Sequence, residues 1–90
     1  MNIAFTNKFK KQYKLMIKRG LKIELLDSLI NDLSLGIKLA DKHRDHALTG
    51  NFKGYRECHI APDWLLIYFV DTSDNLITFD QTGTHSDLFI

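Results

Sequence analysis

Apolar positions recur with a helical period in the first third of the chain and with a strand-like pattern in the last third. The segment Asn2 to Phe5 leans apolar and predicts a short strand, and Thr6 or Asn7 follows as a helix N-cap. A first helix is predicted because apolar residues recur at helical spacing between lysines. These apolar residues are Phe9, Tyr13, Met16 and Ile17. A second helix is predicted from about Leu21 to Leu35. Because the link between the two helices is short, they are expected to pack as an antiparallel hairpin.

Three strand candidates fill the last third of the chain: Tyr55 to Ile60, Trp64 to Val70 and Leu76 to Thr82. The middle candidate is apolar on both faces, which is typical of an interior strand. Turn residues in Ala61-Pro62-Asp63 and in Asp71 to Asn75 make the links short, so an antiparallel meander is expected. The pattern predicts a single α+β domain over residues 1–90, of order β-α-α-β-β-β, with the helical hairpin on one face of an antiparallel sheet.

The composition narrows the class of protein and its location. Ninety residues, of which 44% are hydrophobic, suffice for one compact core. No apolar run approaches the length of a membrane span, and the N-terminus lacks the apolar core of a signal peptide. Cys58 is the lone cysteine, so no internal disulfide is expected. We therefore expect a cytoplasmic protein that does not contact the membrane.

Charge is distributed unevenly along the chain, although the net charge is only +1. All twelve Lys and Arg residues lie at or before Arg56 together with five acidic residues, which gives that part a net charge of +7. The part from Glu57 onward has six acidic residues and neither Lys nor Arg, for a net charge of −6. This asymmetry favours a polyanion-binding surface in the first part. A lysine-rich helix that is merely solvated explains the same pattern, so both interpretations stand.

Four histidines, all after position 42, are the main candidates for chemistry. His43 and His46 lie in the segment Ile37 to Lys53, which has no sustained period and is interpreted as an ordered loop crossing to the sheet. His59 precedes the first turn, and His85 follows the last strand. Histidine titrates near neutral pH and both takes and gives protons, as RNA cleavage by 2′-hydroxyl attack requires. His43 stands in a polar context and is interpreted as solvated.

Four further residues each have a functional and a structural interpretation. Asp63 either orients a neighbouring imidazole or closes the turn that contains it. Trp64 and Phe89 either stack on a splayed base of single-stranded RNA or pack in the core. Arg56 either binds a phosphate or forms a surface ion pair.

A zinc site is the rival chemical interpretation. Its four ligands would come from His43-x-x-His46 and from Cys58-His59. Adjacent residues on a strand point to opposite faces, however, so Cys58 and His59 are poorly placed to bind one ion together. Neither a CxxC nor an HExxH motif is present. The sequence therefore predicts neither a metal nor another cofactor.

Three segments resemble the YafQ branch of the RelE/ParE superfamily, which are bacterial toxins of type II toxin–antitoxin modules. The segments are RDHALTG (Arg44 to Gly50), GYRECHIAPDWLLIY (Gly54 to Tyr68) and TGTHSDLF (Thr82 to Phe89), in this order. The resemblance implies a RelE-like fold and an mRNA interferase, an endoribonuclease that cuts mRNA, typically on the translating ribosome. It also implies neutralisation by a cognate antitoxin from the neighbouring gene, with operator DNA bound only through that antitoxin.

By position, the resemblance implies roles for six residues: catalysis by His46, His59, Asp63 and His85, and substrate contacts by Trp64 and Phe89. In the resulting hypothesis, His85 is the general acid, and the other three catalytic residues share general-base and positioning roles. Attack of the 2′-hydroxyl on the adjacent phosphate then leaves a cyclic phosphate without help from a metal. Lysines of the first helix would bind ribosomal RNA.

One position departs from the family pattern. Relatives commonly have an arginine immediately before the Thr-Gly-Thr-His segment, where this chain has Gln81 after Asp80. An arginine there is suited to stabilise charge on the phosphate in the transition state. Gln81, the remaining candidate for substrate contact, donates a hydrogen bond but brings no charge, so Arg56 or a lysine would have to compensate. Two alternatives stay open. The superfamily also includes toxins that inhibit protein targets, which suggests a non-catalytic ParE-like toxin, and the missing arginine suggests a degenerate toxin that acts only by binding protein.

Overall fold

The computed structural model describes residues 1–89, and over this range it has five strands and three helices. The strands are β1 (Asn2–Phe5), β2 (His46–Ala47), β3 (Arg56–Ala61), β4 (Trp64–Asp71) and β5 (Leu76–Gly83); the helices are α1 (Asn7–Lys18), α2 (Ile23–Ser34) and α3 (His85–Phe89). Single 3₁₀ turns occur at Asp41–His43 and Gly50–Phe52. Every predicted element forms. The strand β2 and the helix α3 are additional, because two and five residues are too few to show a period.

The strands form one sheet in the order β1-β5-β4-β3-β2. The strands β2 to β5 are antiparallel to their neighbours, which confirms the predicted meander, whereas β1 lies parallel to β5. The sheet is therefore mostly antiparallel, as predicted, with one parallel pair at this edge. The helices α1 and α2 and the strands β2 to β4 lie between β1 and β5 in the sequence. No hairpin turn therefore fixes the relative direction of β1 and β5.

The helices α1 and α2 cover one face of the sheet and build the core with it, which confirms the predicted α+β architecture. The buried side chains of this core include Phe9, Met16, Leu26, Leu66, Tyr68 and Phe79. The hydroxyl of Tyr13 donates a hydrogen bond to Asp27 at 2.7 Å and joins the two helices as a hairpin. None of the helices within residues 1–89 is both long enough and apolar enough to cross a membrane.

Candidate active site

The face of the sheet away from the helices brings most of the candidate residues together. The register places His46 opposite Glu57, Glu57 opposite Ile67, and Ile67 opposite Gln81. Residues directly opposite each other on neighbouring strands lie on the same face. His59 follows Glu57 by two positions on β3 and shares this face. The result is a polar surface whose floor includes the buried side chain of Ile67.

Glu57 lies between two of the histidines. Its Oε1 atom is 3.6 Å from Nε2 of His46 and 3.6 Å from Nε2 of His59. The Glu57 side chain is only 8% exposed, and that of His59 is 16% exposed. A carboxylate only accepts hydrogen bonds, so a ring nitrogen that faces it must carry a proton for the pair to attract. Glu57 therefore lies within ionic contact of both imidazoles from one buried position.

His85 is held by a different carboxylate. Its Nδ1 is 2.7 Å from Oδ1 of Asp63, and its backbone N–H donates to the same oxygen at 3.0 Å. First the backbone N–H and then the imidazole of His85 lower the pKa of the Asp63 carboxyl below its ordinary value. Because Nδ1 faces a carboxylate, it carries the proton, and Nε2 is left as the nitrogen that can exchange a proton with a ligand. Asp63 thus orients an imidazole, which is the functional one of the two interpretations given for it above.

The two carboxylate-held systems face each other. The ring centroids of His59 and His85 are 5.8 Å apart, with the ring planes inclined by 62°. His59 lies toward the interior of this face, whereas His85 has a side chain that is 54% exposed. One imidazole on either side of a bound phosphate can take a proton from one oxygen and give a proton to another. The structure therefore brings together His46, His59, Asp63 and His85 as the sequence predicted.

The Thr-Gly-Thr-His segment positions α3 over this face. Thr82 is buried, and its backbone N–H donates to the side chain of Gln12 at 2.9 Å. At Gly83 a Cβ atom would lie 2.9 Å from Asp87, so only glycine lets α3 approach the end of β5 this closely. Thr84 then begins α3 with a reciprocal cap, because its N–H and hydroxyl each bond to Asp87.

Arg19 fastens α3 to the end of α1. Its guanidinium donates to both carboxylate oxygens of Asp87, at 2.7 and 3.1 Å. This arginine, followed by the backbone N–H of Thr84, holds the pKa of the Asp87 carboxyl well below its usual range. A bidentate pair fixes orientation as well as distance. The short helix that carries His85 is therefore anchored at two points. Its His85 contacts Asp63, and its Asp87 contacts Arg19.

Trp64 lies in the core and not in the site. Its side chain is 4% exposed, and its indole N–H donates to the hydroxyl of Thr82 at 3.0 Å. That hydroxyl in turn donates to the backbone carbonyl of Leu65 at 2.8 Å. The indole is thus occupied in supporting the strand that leads to His85. The core-packing interpretation describes this position, and we assign Trp64 no contact with a base.

Phe89 lies at the rim of the site and is 44% exposed. Its ring centroid is 6.5 Å from that of His85 and 5.7 Å from that of Phe52, which it meets edge to face. Phe52 in turn contacts Tyr55, and Tyr55 contacts Phe69. An exposed ring supported by an aromatic neighbour and adjacent to His85 is available for stacking on a base.

Arg56 is directed away from the histidines. It precedes Glu57 on β3 and therefore points to the opposite face of the sheet. Its Nε is 3.3 Å from Asp45, whose carboxylate also accepts a hydrogen bond from Tyr68 at 2.6 Å. Arg56 therefore forms an ion pair, which is one of its two predicted interpretations. Its position does not support the expectation that it binds a phosphate or replaces the missing arginine.

Gln81 reaches the site face because of a β-bulge in β5. Phe79 pairs with Tyr68 and Gln81 pairs with Ile67, which leaves Asp80 as the extra residue. The side-chain amide of Gln81 donates to Asp80 at 3.3 Å, and Gln81 is 8% exposed. Gln81 therefore lies on the site face, and the partner of its side-chain amide is the neighbouring carboxylate of Asp80.

The residues of the rival zinc interpretation do not assemble. Cys58 is buried on the helix-covered face, where desolvation raises the pKa of its thiol to about 12. The imidazole of His43 is half-buried and bonds to the backbone carbonyl of His59 at 2.7 Å, so it is not fully solvated as expected, and its Nδ1 is not directed at Cys58. Within residues 1–89, no three His, Cys, Asp or Glu side chains form a group that could hold a metal ion.

Glu57 is the residue that the sequence analysis missed. It alternates with His59 on β3 and with Tyr55 just before that strand, and this period-two pattern already placed its side chain on the same face as His59. What the pattern did not reveal was the partner strand β2, which brings His46 opposite to Glu57. The two residues of β2 give too short a signal to predict.

Comparisons with known proteins identify the family. Residues 1–90 match the family described as "Bacterial toxin of type II toxin-antitoxin system, YafQ". Among curated relatives, the mRNA interferase toxin YafQ of Escherichia coli strain K12 is 38% identical over 92 residues, covering 98% of this chain and 95% of the relative.

Solved structures agree with this match and confirm the RelE-like fold. A metal-bound toxin from Helicobacter pylori superposes with a TM-score of 0.93 at 37% identity, covering 99% of both chains. The toxin in the DinJ–YafQ complex of E. coli superposes with a TM-score of 0.89 at 38% identity, covering 99% of this chain and 98% of the other.

Proposed function

Because the chain belongs to the YafQ family of bacterial type II toxins, we propose that it is an endoribonuclease that cleaves mRNA by acid–base catalysis and so inhibits translation. Its E. coli relatives are named mRNA interferase toxins. The observation that carries the proposal is the pair His59 and His85, two facing imidazoles that are each held by a separate carboxylate. A surface that only bound protein would not need two such pairs.

In the proposed reaction the 2′-oxygen of one nucleotide attacks the adjacent phosphorus. The P–O bond to the 5′-oxygen of the next nucleotide breaks, which leaves a 2′,3′-cyclic phosphate and a 5′-hydroxyl. The system of His46, Glu57 and His59 takes the proton from the 2′-hydroxyl. Nε2 of His85 gives a proton to the departing 5′-oxygen, while Asp63 keeps the ring oriented.

The two systems are suited to different halves of this reaction. His59 is largely buried and is coupled through Glu57 to His46, so the proton taken from the substrate can be shared within a small network. His85 is exposed and has one free ring nitrogen, which suits proton delivery to a leaving group. A metal ion has no part in these steps.

Substrate and partner binding use other surfaces of the chain. Phe89, at the rim beside His85, would stack on a base next to the scissile phosphate. The exposed lysines of α1, which are Lys8, Lys10, Lys11, Lys14 and Lys18, would bind ribosomal RNA. A relative has been crystallised with its antitoxin DinJ, and we infer that a cognate antitoxin also neutralises this chain and alone contacts operator DNA. A cytoplasmic location is part of the same proposal.

The test is an end-group assay on mRNA with and without programmed ribosomes. We expect a 2′,3′-cyclic phosphate on the upstream product and a 5′-hydroxyl on the downstream product. A substrate with 2′-deoxyribose at the cleaved nucleotide should resist. Cleavage of that substrate would refute the mechanism. Primer extension after induction that shows uncut transcripts in growth-arrested cells would instead favour a toxin that acts by binding protein.

Replacing Gln81 by arginine should raise the rate of cleavage. Gln81 lies on the site face but brings no charge, and Asp80 beside it is acidic. A single preorganised donor to transition-state charge is worth about 10²–10³-fold in kcat, and we expect about tenfold here because Asp80 competes for the guanidinium. The measurement is kcat for Gln81→Arg beside Gln81→Met, which keeps the length but donates no hydrogen bond. An arginine variant no faster than the unmodified chain would show that this position does not meet the phosphate.

A further inference from the structure

His43 completes the hydrogen bonding of the strand that carries His59. The register of β2 and β3 pairs His46 with Glu57 and Ala47 with Arg56, and if continued it would place Arg44 opposite His59. The chain leaves the ladder before that point, since β2 has only two residues. The imidazole of His43 takes the vacant place, with Nδ1 at 2.7 Å from the carbonyl oxygen of His59.

The backbone at Arg44 explains why the ladder ends there. Arg44 adopts the left-handed conformation, with φ 47° and ψ 43°, which is costly for a residue other than glycine. Its carbonyl oxygen turns to Nδ1 of His46 at 2.6 Å instead of toward β3. Because a carbonyl only accepts hydrogen bonds, Nδ1 of His46 carries a proton, and Nε2 is the nitrogen that faces Glu57.

The contacts therefore form a closed path. His43 bonds to the backbone of His59, Arg44 orients the ring of His46, and Glu57 joins the rings of His46 and His59. A β-bulge follows directly, between His59 and Ala61, and at such a point the strand has no regular ladder to hold it. The His43 bond fixes the strand at this point.

We propose that His43 is a positioning residue for the cleavage reaction, acting through the backbone of His59 and the conformation of the loop that carries His46. The inference rests on the nuclease function proposed above. His43 does not touch the substrate in this scheme, and it sets the distance at which both imidazoles meet Glu57.

Two substitutions separate the hydrogen bond from the bulk of the ring. His43→Leu keeps a side chain of similar size but leaves the carbonyl of His59 unpaired in a partly buried place. His43→Asn places an amide N–H close to the position of Nδ1 and restores the donor. Asp41→Leu puts the same leucine on the exposed side of the same turn and serves as the control.

The first measurement is steady-state cleavage of mRNA on programmed ribosomes. We expect His43→Leu to lower kcat about tenfold with KM within about twofold, as for a group that acts on the transition state and not on substrate binding. His43→Asn and Asp41→Leu should stay within about twofold of the unmodified chain. A His43→Leu variant with full kcat, or a His43→Asn variant as slow as His43→Leu, would overturn the proposal.

The second measurement does not depend on activity. The imidazole C–H signals of the folded protein in NMR spectra should shift for His46 and His59 in the His43→Leu variant, and return in His43→Asn. The signals of His85 should stay in place, because Asp63 holds that ring. Unchanged signals for His46 and His59 would refute the coupling even if the chain proved not to be a nuclease. Shifted signals with no cleavage by the unmodified chain would refute the nuclease proposal and keep the coupling.

Discussion

The His85→Ala substitution should lower the rate of mRNA cleavage by about 10³-fold, within the range of about 10²–10⁴ that a positioned general acid or base contributes. Expression of this variant should no longer arrest growth. The reason is local, since Nε2 of His85 is the ring nitrogen left free by Asp63, and the side chain is 54% exposed at the rim of the site. The departing 5′-oxygen would then leave without a proton.

A modified substrate tests the role of His85 and not just its presence. RNA with sulfur in place of the bridging 5′-oxygen has a leaving group that needs no proton. We expect His85→Ala to cleave this substrate at close to the rate of the unmodified chain, while His59→Ala stays slow on both substrates. The opposite outcome, rescue of His59→Ala alone, would exchange the acid and base roles of the two histidines.

The fold of the variant must be checked, because α3 is short and carries His85 at its first position. Arg19 and the Thr84 cap hold α3 through Asp87, so its docking should survive the loss of one imidazole. Circular dichroism and antitoxin binding should therefore match those of the unmodified chain. A folded His85→Ala protein that remained fully toxic would refute the mechanism.

Periodicity was sufficient to predict the helical hairpin and the three long strands, because each is eight or more residues of regular pattern or is bounded by clear turns. It could not give the direction of β1, which pairs with β5 across most of the chain. It also could not reveal α3, whose formation depends on the close approach at Gly83 and on the distant partner Arg19. Long-range contacts of this kind leave no local signal.

Within the site, residue type and strand alternation predicted some positions and misplaced others. Strand alternation puts Glu57 on the same face as His59 and Arg56 on the opposite face. This alternation alone argues against Arg56 as a ligand of a phosphate bound beside the histidines. The role of His43 was not predictable, because it depends on the left-handed backbone at Arg44 and on a ladder that stops early. Trp64 lies within a segment that resembles the family, but its indole is in the core and donates a hydrogen bond to Thr82.

The second large effect is expected at Glu57, the residue that the sequence analysis missed. Glu57→Gln should lower kcat by about 10²-fold, at the lower end of what a catalytic proton-transfer group contributes. The carboxylate lies 3.6 Å from the facing nitrogens of both His46 and His59, within the distance of an ionic contact to each ring. An amide has one accepting oxygen and one donating nitrogen, so it cannot accept from both rings with the same geometry.

The chain provides a matched control, because Glu24 is its only other glutamate and lies exposed in the first turn of α2. Glu24→Gln should leave kcat unchanged within about twofold. Glutamine is nearly isosteric with glutamate, so Glu57→Gln should fold, and a melting temperature close to that of the unmodified chain would confirm this. The measurement is kcat for both variants on programmed ribosomes. A folded Glu57→Gln protein as active as Glu24→Gln would mean that Glu57 joins the two histidines structurally without taking part in proton transfer.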